Sequence, residues 1–393
     1  MSGSRVTLLS STSLNIGSGF RFWNLGRALI SLGFEVTIIS PASKVQDLPE
    51  IDTVLRRGLS LKFLRVPPSG LSIREQLAHS WANMITSLNV DSDFVHISAI
   101  ARPPMATITL LEKMISHRRL FIDWDDLFGT SWEGYGLKAL LGNKVASILQ
   151  SHVTPYGERI SVASHFLLDR ARRLGIEESR LYFLFAPCDT KSIPILEKSK
   201  CRRELKLPEG FIIVVVGYPL PDGTNAGSFI RLLEGFDKLC SEYEDPFLVM
   251  VGRQNIPAEA TQLFSKLSER ILQLGTVRYE AIPKVLGSAD VLYLLMEDSP
   301  LDNSRFPQRF SDYLCAGRPI VCPAVGEIKN IMTKNPCGLT VHSSEEILCA
   351  FRFLHESNSA LISFGRQCRR LAEEEYSLST WSNLVNQMYS ETG

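Results

Sequence analysis

The 393 residues carry 42 Lys+Arg against 42 Asp+Glu, for no net charge, and are 45% hydrophobic and 21% charged. That balance is ordinary for a globular chain and argues against a nucleic-acid binder or a disordered chain. The length exceeds the ~250–300 residues that one hydrophobic core usually organises, so two domains are expected.

Short β-branched runs alternate with helical patterns from the start of the chain. "RVTLLSS" (5–11) reads as a strand, and "NIGSGFRFWNLGRALISLG" follows as a Gly-rich turn and a helix that stops at Gly33. "FEVTIIS" (34–40), "DFVHIS" (93–98), "RLFIDWDD" (119–126) and "GERISVAS" (157–164) are further strands, with helices at 72–88 and 138–151 between them. This is the βαβ rhythm of a parallel sheet covered on both faces. The rhythm then restarts with "GFIIVVVG" (210–217) and the helix "AGSFIRLLEGFDKLC" (226–240). It continues through "PFLVMVG" (246–252), "RILQLG" (270–275), "DVLYLL" (290–295), "RPIVCP" (318–323) and "CGLTVH" (337–342). The reading is α/β, with two doubly wound domains at 1–188 and 189–376. A final helix at 377–393 would pack back on the first. Ligands bind beyond the carboxyl ends of strands in open α/β sheets. Two such sheets facing each other would put a cleft between their loops, which suits a two-substrate enzyme.

All eight cysteines lie beyond residue 187 without a C-x-x-C pair or a His cluster, so buried reduced thiols are expected rather than a metal site. The N-terminus enters a strand without a charged segment followed by an apolar one, so no signal peptide is expected. No apolar run approaches the ~20 residues of a spanning helix. The expected location is cytoplasmic, at most peripheral on a membrane. The basic run "RARRLG" (170–175) reads as a solvated helix face or as a contact for anionic lipid headgroups.

The most informative stretch is "DNSRFPQRFSDYLCAGRPIV" (302–321). Pro307 suits the first position of a helix, Gly317 suits its left-handed end, and Pro319 prevents continuation. Arg309 would sit in the first turn, where the helix dipole disfavours a cation unless an anion is bound there. Free amides at a helix N-terminus favour a phosphate. Asp312, one turn further on, could accept hydrogen bonds from a vicinal diol, as an acid does for ribose in dinucleotide sites. The alternative is that both lie on a solvated helix face.

"ADVLYLLMEDSPLDNSRFPQRFSDYLCAGRPIVCPAVGEI" resembles the donor segment of GT-B-fold glycosyltransferases, in particular glycosyltransferase family 4 (glycosyl transferases group 1). Arg309 matches the family's basic position, Asp312 its ribose-binding acid, and Gly317 with Pro319 its G-x-P. The glycine-rich first turn, "ISVASHFLLDRARRLGIEESRLYFLFAPCD" and "GTVRYEAIPKVLGSADV" are similar to other family segments in the same order. The resemblance implies two Rossmann-like domains, the N-terminal one binding an acceptor and the C-terminal one a nucleotide-diphosphate sugar. It implies sugar transfer to a hydroxyl of a glycan, lipid-linked or small-molecule acceptor, with retention and with no metal or cofactor beyond the donor. Gly17, Ser18 and Gly19 would let the backbone approach the diphosphate, and Val277 would meet the base. Arg305, Phe306, Pro307, Arg309 and Asp312 would complete the donor site.

The chain departs from the family in three places. The acid that often precedes the ribose acid by eight residues is Ser304 here, which Glu297, Asp298 or Asp302 could replace. Tyr218 and Thr224 occupy the loop where the family usually has Arg and Lys. Asp125 and Asp126 stand where many relatives carry a His-Asp pair. Beside Asp123 these acids would repel one another, and one could orient or deprotonate an acceptor hydroxyl, which makes Asp125 and Asp126 the candidate catalytic residues. Asp123-Trp124-Asp125 is also a D-x-D, and the three acids could instead only cap loop amides. His96 reads as a core or loop histidine before a cleft residue. A nucleotide-sugar epimerase and an inactive scaffold subunit remain as alternative functions.

Overall fold

The computed structural model describes every residue except 1–2, 11, 16, 42–45, 47, 65–84, 99, 102, 128–136, 221–222 and 391–393, and omits the side chains of 103–104 and 137–140. The chain divides into two compact units. The first comprises Met1–Ala186, Ser304–Phe306 and Leu378–Gly393, and the second Pro187–Asn303 and Pro307–Ser377.

The first unit is a parallel sheet of β1 (Arg5–Leu9), β2 (Glu35–Pro41), β3 (Leu59–Leu64), β4 (Phe94–Ser98), β5 (Arg119–Trp124), β6 (Arg159–Val162) and β7 (Leu181–Phe183). Their order is β3-β2-β1-β4-β5-β6-β7. The connecting helices are α1 (Gly17–Ser31), α2 (Ile51–Arg56), α3 (Pro103–Ile115), α4 (Leu137–Val153) and α5 (His165–Arg173). Val95, Ile97, Leu120, Ile122, Ile160 and Val162 are all buried, because helices cover both sheet faces and the strands have no solvent side to alternate toward.

The second unit repeats the plan. β8 (Phe211–Val216), β9 (Pro246–Val251), β10 (Ile271–Gly275), β11 (Val291–Tyr293), β12 (Ile320–Pro323) and β13 (Gly338–Val341) lie in the order β10-β9-β8-β11-β12-β13. Its helices are α6 (Lys198–Leu205), α7 (Ala226–Glu242), α8 (Thr261–Lys266), α9 (Ile282–Gly287), α10 (Pro300–Ser304), α11 (Gln308–Ala316), α12 (Gly326–Lys334), α13 (Ser344–Glu356) and α14 (Asn358–Glu374). In each sheet the winding reverses beside the first strand, between β1 and β4 and between β8 and β11. That switch point is where an open α/β sheet leaves a crevice at its carboxyl edge.

The last helix, α15 (Leu378–Ser390), belongs to the first unit. Tyr389 packs its ring on Phe34, Phe94 and Phe121, and Arg159 Nη1 donates to the carbonyl of Met388 at 2.8 Å. Trp381, Val385 and Met388 are buried on the same side.

Two strands escaped the sequence reading, β3 and β7. β3 reads LSLKFL, with Ser and Lys interrupting its apolar residues, and β7 is only three residues long. The helix containing Arg309 begins one residue later than expected. Pro307 has φ −66° and an extended ψ of 127°, so it is the N-cap rather than the first helical residue. Its carbonyl accepts the first bond, from the amide of Phe310 at 3.0 Å. Gly317 ends the helix with φ 63°, as its lack of a side chain allows. The expected helix at 72–88 lies mostly outside the described residues. All eight cysteines are free; Cys349 is exposed, Cys240 half-buried and the others buried. Among the described residues no helix is long and apolar enough to cross a membrane.

Candidate functional site

The second unit places its charged groups at the carboxyl end of β8. The strand runs into Gly217, whose φ of 109° suits glycine, and its amide donates to the carbonyl of Val251 at 2.7 Å. A side chain here would meet the Arg309 guanidinium, because Arg309 Nη1 would be 2.3 Å from its Cβ. Arg309 reaches this point from the first turn of α11 and donates to the carbonyl of Val216 at 2.6 Å. The cation in the first helical turn is therefore held across the end of the neighbouring strand. It supplies there the charge that the β8–α7 loop lacks. Tyr218 on that loop is not a phosphate clamp. Its ring is buried against Phe229, and its hydroxyl donates to Gln273 Oε1 at 3.2 Å.

Asp312 lies one turn beyond Arg309 and is 8% exposed, so the solvated-face reading fails for it. Gln308 Nε2 donates to its Oδ1 at 3.1 Å. Burial pushes its carboxyl up to about 7, Asp189 adds to the rise, and Gln308 and Arg309 oppose it. A buried carboxylate with so little compensation is suited to accepting hydrogen bonds from a ligand. Val277 lies half-buried in the loop after β10.

The acids considered as substitutes for Ser304 are otherwise engaged. Glu297 accepts from the amides of Asn225 at 3.1 Å and Ser228 at 2.8 Å, so it caps the N-terminus of α7. Its close approach depends on Gly227, where a Cβ would lie 2.6 Å from Oε1. Asp302 is buried and accepts from the amide of Glu297 at 2.7 Å, and Asp298 accepts from Asn303 Nδ2 at 2.8 Å. Ser304 itself is fully buried, accepts from the amide of Leu127 at 3.2 Å, and its carbonyl accepts from the Ser164 hydroxyl. A glutamate would not fit this position.

Arg305 and Phe306 belong with Ser304 to the first unit. The Phe306 side chain is buried, with its ring 6.2 Å from that of Phe185, which leaves its backbone for the expected donor contact.

In the first unit α1 begins at Gly17, with φ 47°. Gly19 has a use within the turn itself. A Cβ there would lie 2.1 Å from the carbonyl oxygen of Ser13, so the missing side chain makes room for the turn's own backbone. The Ser18 hydroxyl bonds Asp125, just past the end of β5. The three acids of that strand end have separate fates. Asp123 is buried and forms a bidentate pair with Arg21, at 2.8 and 2.9 Å, and also accepts from the Ser161 hydroxyl. Burial acts to raise its pKa, but Arg21 holds the carboxyl below the ordinary range. Asp126 accepts from the amide of Leu127 at 2.9 Å, and its carbonyl accepts from Gln150 at 3.0 Å. Asp125 keeps a buried Oδ1 without a partner, and burial with the charges of Asp123 and Asp126 pushes it up to about 7.

His96 is a core residue, as read: its ring is buried, Nδ1 lies 2.9 Å from the Tyr389 hydroxyl, and burial lowers it to about 4. Sequence reasoning missed Arg21 and Gln308. Arg21 did leave a signal, a lone charge in the apolar run "GFRFWNL" of a helix buried through twelve consecutive positions. Such a charge needs a buried partner.

Sucrose-phosphate synthase from Thermosynechococcus elongatus superposes with TM-score 0.74 at 14% identity, covering 98% of each chain. HepE from Anabaena, in complex with UDP-glucose, gives 0.72 at 14% identity, covering 98% of this chain and 100% of that one. The fold is GT-B. A structure described as a UDP-N-acetylglucosamine 2-epimerase from Listeria monocytogenes shares this GT-B plan, with TM-score 0.61 at 12% identity over 99% and 97% of the chains. No protein-family model matches the sequence, and no curated protein matches it either.

Proposed function

We propose that this GT-B protein transfers a hexose-type sugar from a nucleotide-diphosphate sugar to a hydroxyl acceptor. The observation that carries the reading is the seat of Arg309 over Gly217 with buried Asp312 one turn on. A diphosphate at that seat would meet a guanidinium and the amides at the start of α11, and its leaving charge would be stabilised by groups already in place. Asp312 would accept hydrogen bonds from the ribose diol, with Val277 beside the base. The first unit would hold the acceptor. There Asp125, with a pKa near neutrality, would take the proton of the attacking hydroxyl as the new C–O bond forms and the bond to the phosphate breaks. No metal is assigned a role. The family likeness adds retention of configuration, which proton NMR of the new anomeric centre would check.

HepE was solved with UDP-glucose, which makes that donor the first to try. The test is a thermal-shift screen with UDP, GDP and ADP and their sugars, since a ligand that prefers the native state raises its melting temperature. Asp312→Ala should abolish the nucleotide shift, whereas Asp125→Ala should preserve it and lower transfer. The opposite pattern would reverse the roles. The Listeria likeness keeps the epimerase reading open, and labelled donor decides: sugar released or epimerised without acceptor favours epimerase, and binding without turnover favours a scaffold.

The reading extends to acceptor delivery at a membrane surface. Leu141, Val145 and Ile148 lie on one face of α4 and are 53%, 45% and 48% exposed. Arg170 of α5 reaches the same helix at Ser151, which puts a cation beside one end of the stripe. Co-sedimentation with anionic but not neutral vesicles would support it, and Val145→Glu should reduce it.

A further inference from the structure

At the far end of α11 from Arg309, before the first residues of β11 and β12, the second unit has a cavity of about 410 Å³. That size lies in the usual range for a small-molecule site. Five cations line it: Lys198, Arg318, Arg366, Arg369 and Arg370. Its two acids do not balance them. Asp290 is saturated by Lys198, by Arg202 Nη2 at 2.6 Å and by the amide of Ile212 at 2.7 Å. Glu373 is taken by Arg369 Nε at 2.6 Å.

Two guanidinium groups have donors to spare. Arg318 Nη2 donates to the carbonyls of Leu196 and Gly287 at 3.1 and 2.8 Å, but its Nε is buried without a partner. Arg366 is exposed and makes no hydrogen bond or ion pair among the described residues. The facing wall is apolar: Ile195 is 56% exposed and Ile362 46% exposed. Exposed isoleucines next to arginines with free donors fit a ligand that is anionic at one end and uncharged at the other.

We propose that this cavity binds a small phosphomonoester with an apolar body, as a site separate from the sugar donor's. A phosphate offers three oxygens and about two charges to planar guanidinium forks, which a carboxylate matches less fully. Burial lowers the pKa of Arg318, and the charge of Asp290 opposes that shift without cancelling it.

The test is titration calorimetry with phenyl phosphate on the Arg309→Ala chain, in which the proposed diphosphate seat is disabled. Saturable one-site binding is expected. Adding Arg366→Glu should weaken it at least about tenfold, the scale of one charge-assisted hydrogen bond. Arg366→Ala should weaken it less and in the same direction, which guards against a misfolded reversal variant. Benzyl alcohol, which has a similar body without the phosphate, should bind at least about tenfold more weakly. No saturable binding to the Arg309→Ala chain, or equal affinity with and without Arg366, would overturn the proposal. Failure of sugar transfer would show independently, as absent donor turnover in the wild-type chain, which Arg366→Glu alone should leave unchanged.

Discussion

Asp123 in the first unit and Asp312 in the second are both buried, and the fold treats them in opposite ways. Asp123 receives two hydrogen bonds from Arg21 and another from Ser161, and its carboxyl is held below the ordinary range. Asp312 receives one bond, from a neutral amide, and burial pushes it up to about 7. A buried acid paired directly with its own cation contributes to the architecture; one without such a pair is costly to the fold. By that criterion Asp125, two residues from Asp123 on the same strand end, belongs with Asp312.

The largest effect should come from breaking the paired acid. Asp123→Ala leaves Arg21 buried without its partner and should cost about 3–5 kcal/mol in chemical denaturation. A loss below about 1 kcal/mol would mean that water reaches Arg21 and that the pair is not architectural. Next in size is an acid added where the fold has no cation for it. Ser304→Glu would place an acid at a fully buried position and should destabilise by about 3 kcal/mol without raising transfer. Higher activity in this variant would show that the segment around Ser304 opens to the donor.

The unpaired acid should instead reveal itself through pH. The folded pKa of Asp312, about 7, lies above the ordinary value of 3.8, so the fold prefers the protonated form. Its contribution is therefore most favourable below about pH 4, is lost as pH rises toward 7, and is level above that. Asp312→Asn should flatten this part of the stability profile and exceed the wild type above pH 7. A diol binds the ionised acid, so the wild type's nucleotide affinity should rise over the same window. Parallel profiles for wild type and variant would remove Asp312 from the donor site.

The two sheets were legible because parallel strands covered on both faces leave unbroken apolar runs such as "FIIVVV". β3 and β7 were not, because Ser60 and Lys62 break the pattern of one and the other is three residues long. In the site, Arg309 and Asp312 stood out through a local rule, a cation where the helix dipole opposes it. The partners that decide each acid's role could not be read locally. Arg21 is 102 residues from Asp123, and Ser304 is 177 residues from the amide it accepts from. Glu297 was misread for the same reason: nothing near it in sequence shows that it caps a helix 72 residues earlier. Gly19 pointed correctly to close backbone approach, but the approaching group belongs to the chain itself.

The smallest expected effect concerns the one hydrogen-bond partner Asp312 has among the described residues. Gln308 Nε2 donates both to Asp312 Oδ1 and to the carbonyl of Pro187, at 3.1 Å each. The bond favours the ionised carboxyl, so Gln308→Ala should raise the pKa of Asp312 further and move the pH window upward. Stability above pH 7 should fall by about 1 kcal/mol, the usual worth of such a bond. Melting curves across pH 4–9 would measure both. A window that does not move would mean that Gln308 turns away in solution and that Asp312 draws its stabilisation from another donor, which would bring it closer to Asp123 than the geometry indicates.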